Sequence, residues 1–348
     1  MTQGFDPQAN YQALLRHLAD DLLKLQSGFL HRGETWYLIN IGCKGDMPWL
    51  AKTGEFLRHW LRAERKEQAR SRAVAPPGVC WLCLAGTAGK PWEDVNQQAL
   101  WASSPTRAPW ANQPALLDLY HSSRQPEAIF HADLFHNFHG GLGMYFVSSS
   151  IVECLALIPG SVDRKVEEMA KALEHWAAMP GNRMPHSGKF NKQRVGLTSM
   201  QVMPDAHWSK FDDTRVYLSF LHWWLEGHEN QINGDPVLSR ILVGLQAANR
   251  MFRVPYSCGL WLESAEALEV GRLGRVFVKI YAELANLCYD AHRLRFPMVV
   301  KMHMCDHTFR RMLHLGRLRW VLNPLSMATQ ADEATRRKRR LFQHPLTI

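Results

Sequence analysis

Two thiols separated by two residues, Cys80 and Cys83 in the run Cys80-Trp81-Leu82-Cys83, are the pair in this chain best suited to grip a metal ion. Thiolates at that spacing reach one Zn²⁺ from a tight turn, and a tetrahedral structural site then needs two more ligands. No second CxxC supplies them. Ordinary buried thiols are the competing account. Thioredoxin-like redox chemistry is disfavoured, because the strand-CxxC-helix context is missing and Pro76 and Pro77 precede the motif.

Three other clusters carry chemistry. In the run from His131 to Gly141, Asp133, His136 and His139 stand three apart, so on a helix they lie along one side and reach a shared ion or phosphate. The same spacing serves a helix end in which Asp133 caps and the histidines pack. His303 and His307, in Lys301-Met302-His303-Met304-Cys305-Asp306-His307, sit at i,i+4, which places two imidazoles on one metal or forms a purely structural pair. Met304 stands where a zinc protease needs its glutamate, which argues against protease chemistry. Asp46, in Lys44-Gly45-Asp46-Met47-Pro48, falls after a predicted strand, a place suited to ligating Mg²⁺ and equally to capping the next helix. No GxSxG elbow, Walker A loop or dinucleotide-binding glycine fingerprint is present.

The elements that must position these groups read as mostly helical. Tyr11 to Phe29 predicts an amphipathic helix with Leu14, Leu15, Leu18, Leu22, Leu23 and Leu25 near one face. Trp36 to Ile41 is the clearest strand, running into a turn over residues 42–46. A helix is expected to resume after Pro48 and run to about Arg72, followed by an irregular surface excursion from Gly86 to Pro126. The apolar pattern returns from Leu134 and stops at Pro159-Gly160, and Ser161 then offers an N-cap for a helix over Val162 to Met179. A loop over Asn182 to Lys210 precedes helices at Thr214–Trp224, Pro236–Phe252, Ala265–Arg293 and Met302–Trp320. The regions expected are an N-terminal helix in 1–30, a motif-bearing stretch in 31–160, a helical region in 161–325 and a basic, disordered tail in 326–348.

Composition bounds the class. With 348 residues, 46% hydrophobic and 21% charged, the chain has the balance of a globular protein, and 13 Trp and 15 Phe supply a core or exposed stacking surfaces. A net charge of +9 favours polyanionic partners. Part of it is local: Arg62, Arg65, Lys66, Arg70 and Arg72 form one basic stretch, and Arg336 to Arg340 a denser one of the kind read as a nuclear-import or nucleic-acid patch. Seven scattered cysteines do not form a disulfide framework, and no apolar leader or membrane-length apolar window appears. The expectation is an intracellular protein without a membrane partner, placed in the nucleus if the basic run acts as an import signal.

The order Ile41-Gly42-Cys43-Lys44-Gly45-Asp46-Met47-Pro48, then Cys80-Trp81-Leu82-Cys83, then the DLFHNFHGGLG run from Asp133, then KMHMCDH, then Asn323-Pro324-Leu325 resembles a large protein family abundant in dinoflagellate genomes, over roughly Thr35 to Glu333. That succession is in turn similar to the cores of CACTA-like cut-and-paste DNA transposases. The resemblance implies an RNase H-like core in which three carboxylates hold two Mg²⁺ ions for strand transfer. Asp46 and Asp133 carry over as acids, and Glu263 or Glu266 would have to serve as the third. The short stretch before Thr35 and the change of character after Glu333 mark a shortened, decayed or repurposed relative.

The reading is therefore a mainly α protein with a minor β element, a helical array around the remnant of an RNase H-like sheet. Its expected function is that of a transposase-derived, nucleic-acid-associated protein without catalytic activity, with DNA as the candidate partner. Zn²⁺ is expected on Cys80 and Cys83, completed by His136 and His139. The alternatives are a zinc-stabilised structural or interaction protein, and an active Mg²⁺-dependent nuclease using Asp46 and Asp133.

Overall fold

The computed structural model describes residues 7–62, 78–103, 108–110, 112–208 and 210–330. The basic runs at 65–72 and 336–340 lie outside them. Helix dominates and the strands are three-residue pieces, so the chain is mainly α with a minor β element, as its sequence predicts. Among the described residues no helix is long and apolar enough to cross a membrane. The chain divides into two compact units, Met1–Asp133 and Leu134–Ile348.

The first unit opens with α1 (Pro7–Gln26). Its buried positions are Gln12, Leu15, Ala19 and Gln26, whereas Leu14 is 64% exposed and Leu18 48%. The leucine face expected from the pattern is thus only partly used. Helix α1 lies against the 3₁₀ turn at Ala115–Asp118 and against the end of the next helix, where Lys52 Nζ sits 4.4 Å from the centre of the Tyr11 ring and Thr53 Oγ1 2.9 Å from the Tyr11 hydroxyl. Strands β1 (Phe29–His31) and β2 (Glu34–Trp36) then form an antiparallel hairpin. Positive φ at Arg32 and Gly33 gives the two-residue turn the twist such hairpins need.

The strand expected at Trp36–Ile41 is therefore displaced. Pairing stops at Trp36 and resumes in β3 (Cys43–Gly45), within the stretch expected to turn. The reason is a partner from far along the chain: β3 pairs in parallel with β4 (Phe130–Ala132), in the register Cys43↔Phe130 and Gly45↔Ala132. Helix α2 (Met47–Thr53) follows at once, and Gly54 with the left-handed Glu55 ends it well short of Arg72. The described part of the stretch from Gly86 to Pro126 is irregular apart from α3 (Leu100–Ser103) and the 3₁₀ turn, but it is no mere surface excursion: Trp101, Leu116, Leu117 and Leu119 are buried.

The second unit begins with a π-helix, Phe135–Leu142, kinked at Gly140 and Gly141 and running into α4 (Gly143–Leu155). Ser161 caps α5 (Val162–Ala177) as expected. There follow α6 (Lys192–Val195), α7 (Asp213–Glu226), α8 (Glu229–Ile232), α9 (Pro236–Ser257), β5 (Trp261–Glu263), α10 (Ser264–Asp290), α11 (Val300–Leu315) and β6 (Trp320–Leu322), which pairs antiparallel with β5. Phe138 of the π-helix anchors the core, with ring centroids 4.6 Å from Phe252 and 5.0 Å from Phe277. Each such pair adds roughly 0.5–1.5 kcal/mol to the burial of its rings.

Glu153, buried in α4, accepts from Arg293 and, at 2.9 Å, from Arg295. Arg295 also donates to the carbonyls of Met200 and Val202, tying the irregular stretch 196–210 to the helices. Helix α11 lies close to α10 because two glycines face it. A Cβ on Gly274 would fall 2.2 Å from the Phe309 ring, and one on Gly271 2.8 Å from Leu313. Replacing Gly274 with valine forces the helices apart and is expected to lower stability by about 1–3 kcal/mol. Arg272→Ala, at an exposed position one turn from neither contact, should leave the thermal midpoint almost unchanged. Equal midpoints for Gly274→Val and the parent would refute the close-approach account.

Candidate metal centre

The CxxC loop is built to point backbone donors at both sulfurs. Val79 N donates to Ala85 O at 2.9 Å and closes the loop, with Gly78 and Gly86 at positive φ where the chain enters and leaves. Inside it, Leu82 N lies 3.3 Å from Cys80 Sγ and Ala85 N lies 3.3 Å from Cys83 Sγ. Donors aimed at sulfur stabilise the thiolate form that a metal requires.

Arg58 holds this loop from beneath. Its Nε donates to Cys80 O at 3.1 Å, its Nη2 approaches Trp81 O at 3.4 Å, and the residue is buried. Burial lowers the guanidinium's pKa, while negative charge on Cys80 and Cys83 acts in the opposite direction. Trp81 stacks on Phe56 at 5.1 Å and donates through Nε1 to Phe130 O at 3.2 Å. The loop is thereby tied to the end of β4.

His303 and His307 stand one turn apart on α11, their ring centroids 4.8 Å from each other. His303 is fully buried, and so is the neighbouring Asp306, which accepts from Arg275 of α10 and, at 2.8 Å, from Arg310. That clamp fixes the rotation of α11 about its axis and so the side on which the histidines emerge.

Cys80 and Cys83 are buried in the first unit; in the second, His303 is buried and His307 half-buried. Thiols and imidazoles are the donors that zinc selects.

The thiols are not suited to redox work. Burial pushes the Cys83 thiol far up, and its hydrogen bond with Cys80 adds to the shift, the reverse of an activated nucleophile. Cys305, on α11 between the two histidines, is likewise pushed up by burial and belongs to the core.

His136 and His139, the histidines expected to complete the zinc site, have partners within the second unit. His136 Nδ1 lies 3.1 Å from Thr329 Oγ1; His139 is buried with Nε2 3.2 Å from the Tyr256 hydroxyl and its ring 4.6 Å from Phe252. The π-helical winding turns them into the packing of the second unit. Asp46 and Asp133 follow directly on Gly45 and Ala132, so the two acids sit side by side at the C-terminal ends of the parallel strands β3 and β4. The Asp46 carboxylate accepts from Trp49 N at 2.8 Å as the N-cap of α2, and Asp133 is buried. Glu266 accepts from Glu263 N at 2.7 Å and from the Cys258 thiol at 3.2 Å, so this pair caps the start of α10.

No protein-family model, curated protein or solved structure matches the chain. The functional reading accordingly rests on this geometry and on the motif resemblance.

Arg58 had no signal in the sequence, since it lies in no motif and reaches the loop across more than twenty residues. Arg58→Met keeps most of the volume and removes both carbonyl contacts. It is expected to cost about 1.5–3 kcal/mol in denaturant unfolding, the range for buried hydrogen bonds to a charged group. Arg58→Met unfolding at the parent's denaturant midpoint would remove Arg58 from the support of the loop.

Proposed function

We propose that this chain is a zinc-stabilised, DNA-associated protein of transposase-like descent, in which Cys80 and Cys83 hold a structural Zn²⁺. The observation that carries the reading is the buried CxxC loop, whose backbone donors point at both sulfurs. A structural zinc site contributes folding free energy rather than catalysis. Association with DNA is supported by the net charge of +9 and by the motif succession.

Elemental analysis of purified protein is expected to give about one zinc per chain. Cys80→Ser/Cys83→Ser should lose it, with a large fall in thermal midpoint. Retention of zinc by that variant would remove the CxxC loop as the metal's holder. For DNA, affinity should fall about tenfold or more as salt rises from about 50 to about 200 mM. Affinity that does not respond to salt, or no binding at low salt, would remove DNA as a partner.

A second reading, an active Mg²⁺-dependent nuclease, is favoured by one observation: Asp46 and Asp133 close two adjacent parallel strands in matching register. Carboxylates in that position can share divalent ions for phosphodiester cleavage. On this reading, Mg²⁺-dependent cleavage of DNA is present in the parent and lost in Asp46→Asn and Asp133→Asn, with zinc content unchanged. A parent that leaves DNA intact with Mg²⁺ or Mn²⁺ eliminates it.

A further inference from the structure

Within the second unit, α7 and α9 line a half-open pocket of about 280 Å³. We propose that it binds a small phosphomonoester, whose dianionic head is taken by Arg253 and Arg215.

Each helix contributes one stripe to the cavity, Arg215 and Ser219 from α7 and Asn249, Arg253 and Tyr256 from α9. No acidic residue lines it. Arg253 is exposed and makes no hydrogen bond or ion pair among the described residues. Arg215 is held in place: its guanidinium lies 4.5 Å from the centre of the Tyr256 ring, and its Nε lies 3.7 Å from Asp212 Oδ1. Asp212 is shared, accepting from Arg183 at 2.5 Å and from Gln330 at 3.1 Å, and Asp213 is occupied by His186, Ser187 and Arg183. Arg183 and Arg215 are thus set against Asp212 and Asp213, and Arg253 brings to the pocket a positive charge with no acidic partner among the described residues.

The wall is fixed before any ligand arrives. Ser219 donates to Asn249 Oδ1 at 3.2 Å and Asn249 donates to Leu218 O at 3.1 Å, while the Tyr256 hydroxyl donates to Gln330 at 3.0 Å. These groups are satisfied, so recognition falls to the two guanidiniums. Two arginines on separate helices suit a dianion with three terminal oxygens, whereas one bidentate arginine is enough for a carboxylate. Leu218, Ala248 and Phe252 supply apolar surface beside the charged groups. A volume just below the roughly 300 Å³ of the smallest ordinary ligand pockets limits the organic part to a few carbons.

Calorimetric titration of the full chain with inorganic phosphate, glycerol 3-phosphate, glycerol and acetate tests this directly. Both phosphates should bind saturably, glycerol 3-phosphate the tighter, and the controls should not. Arg253→Ala, on an exposed side chain, should weaken binding about tenfold or more with an unchanged thermal midpoint, and Arg253→Lys less; about 1.4 kcal/mol corresponds to each tenfold step. Arg240→Ala, a charge change elsewhere on α9, should have no effect. The proposal is overturned if neither phosphate saturates by about 10 mM, if acetate binds as well, or if Arg253→Ala binds like the parent. Binding confined to an oligonucleotide would overturn it too, assigning these arginines to a polyelectrolyte surface.

Discussion

The approach of α11 to α10 is the constraint on which the placement of the histidines depends. Side chains at Gly271 or Gly274 would occupy the space of Leu313 and Phe309, so the helix separation is set by the absence of two Cβ atoms. Rotation is set separately, by the buried Asp306 between Arg275 and Arg310. A buried ion pair of this kind contributes little net stability once desolvation is counted, but removing one partner leaves an uncompensated charge, so it specifies one arrangement. Apolar packing at Phe309 supplies stability, and Asp306 supplies the register. Both are needed before two imidazoles at i,i+4 become a usable pair of ligands.

The same division recurs elsewhere. Glu153 gathers Arg293 and Arg295, and Arg295 passes the restraint on to loop carbonyls that no strand or helix would hold. Asp213 gathers backbone donors of His186 and Ser187. In the first unit Arg58 plays this part with the charge reversed, its cation satisfied by carbonyls of the CxxC loop. Long irregular connections are thus fixed by single buried charges. The cost is that each of these positions tolerates no simple deletion of charge.

The helices of the second unit were legible because each carries its own signals. Ser161 caps α5, Asp235 caps α9 with bonds to Val237 N and Leu238 N, and both helices start within a residue of their expected positions. The strands were not legible to the same degree. β3 exists because Phe130–Ala132 arrives beside it from some 85 residues away, and Trp36–Ile41, richer in strand-forming residues, finds no such neighbour. The donors were legible as residue types: CxxC and both histidine pairs stood out by spacing. What surrounds each histidine was not, because spacing is a local property and burial depends on packing. The π-helical winding from Phe135 to Leu142 is a further case, since an α-helical period places His136 and His139 on one side and the wider turn does not.

Asp46 shows how a motif can be kept by geometry alone. Its carboxylate accepts from Trp49 N and starts α2, and Gly45 before it admits the Trp49 ring at a distance that no Cβ would allow. Strand, glycine, acid and helix therefore form a self-consistent turn without any ion. A carboxylate engaged by one backbone donor still has lone pairs to offer a cation, so capping and ligation are compatible. What separates a structural role from a catalytic one is the number of acids. Two sit together at the ends of β3 and β4, whereas Glu263 and Glu266 are engaged at the start of α10. Among the described residues no third acid is placed beside that pair, whereas the CxxC loop already points backbone donors at both of its sulfurs, which is why the structural reading leads.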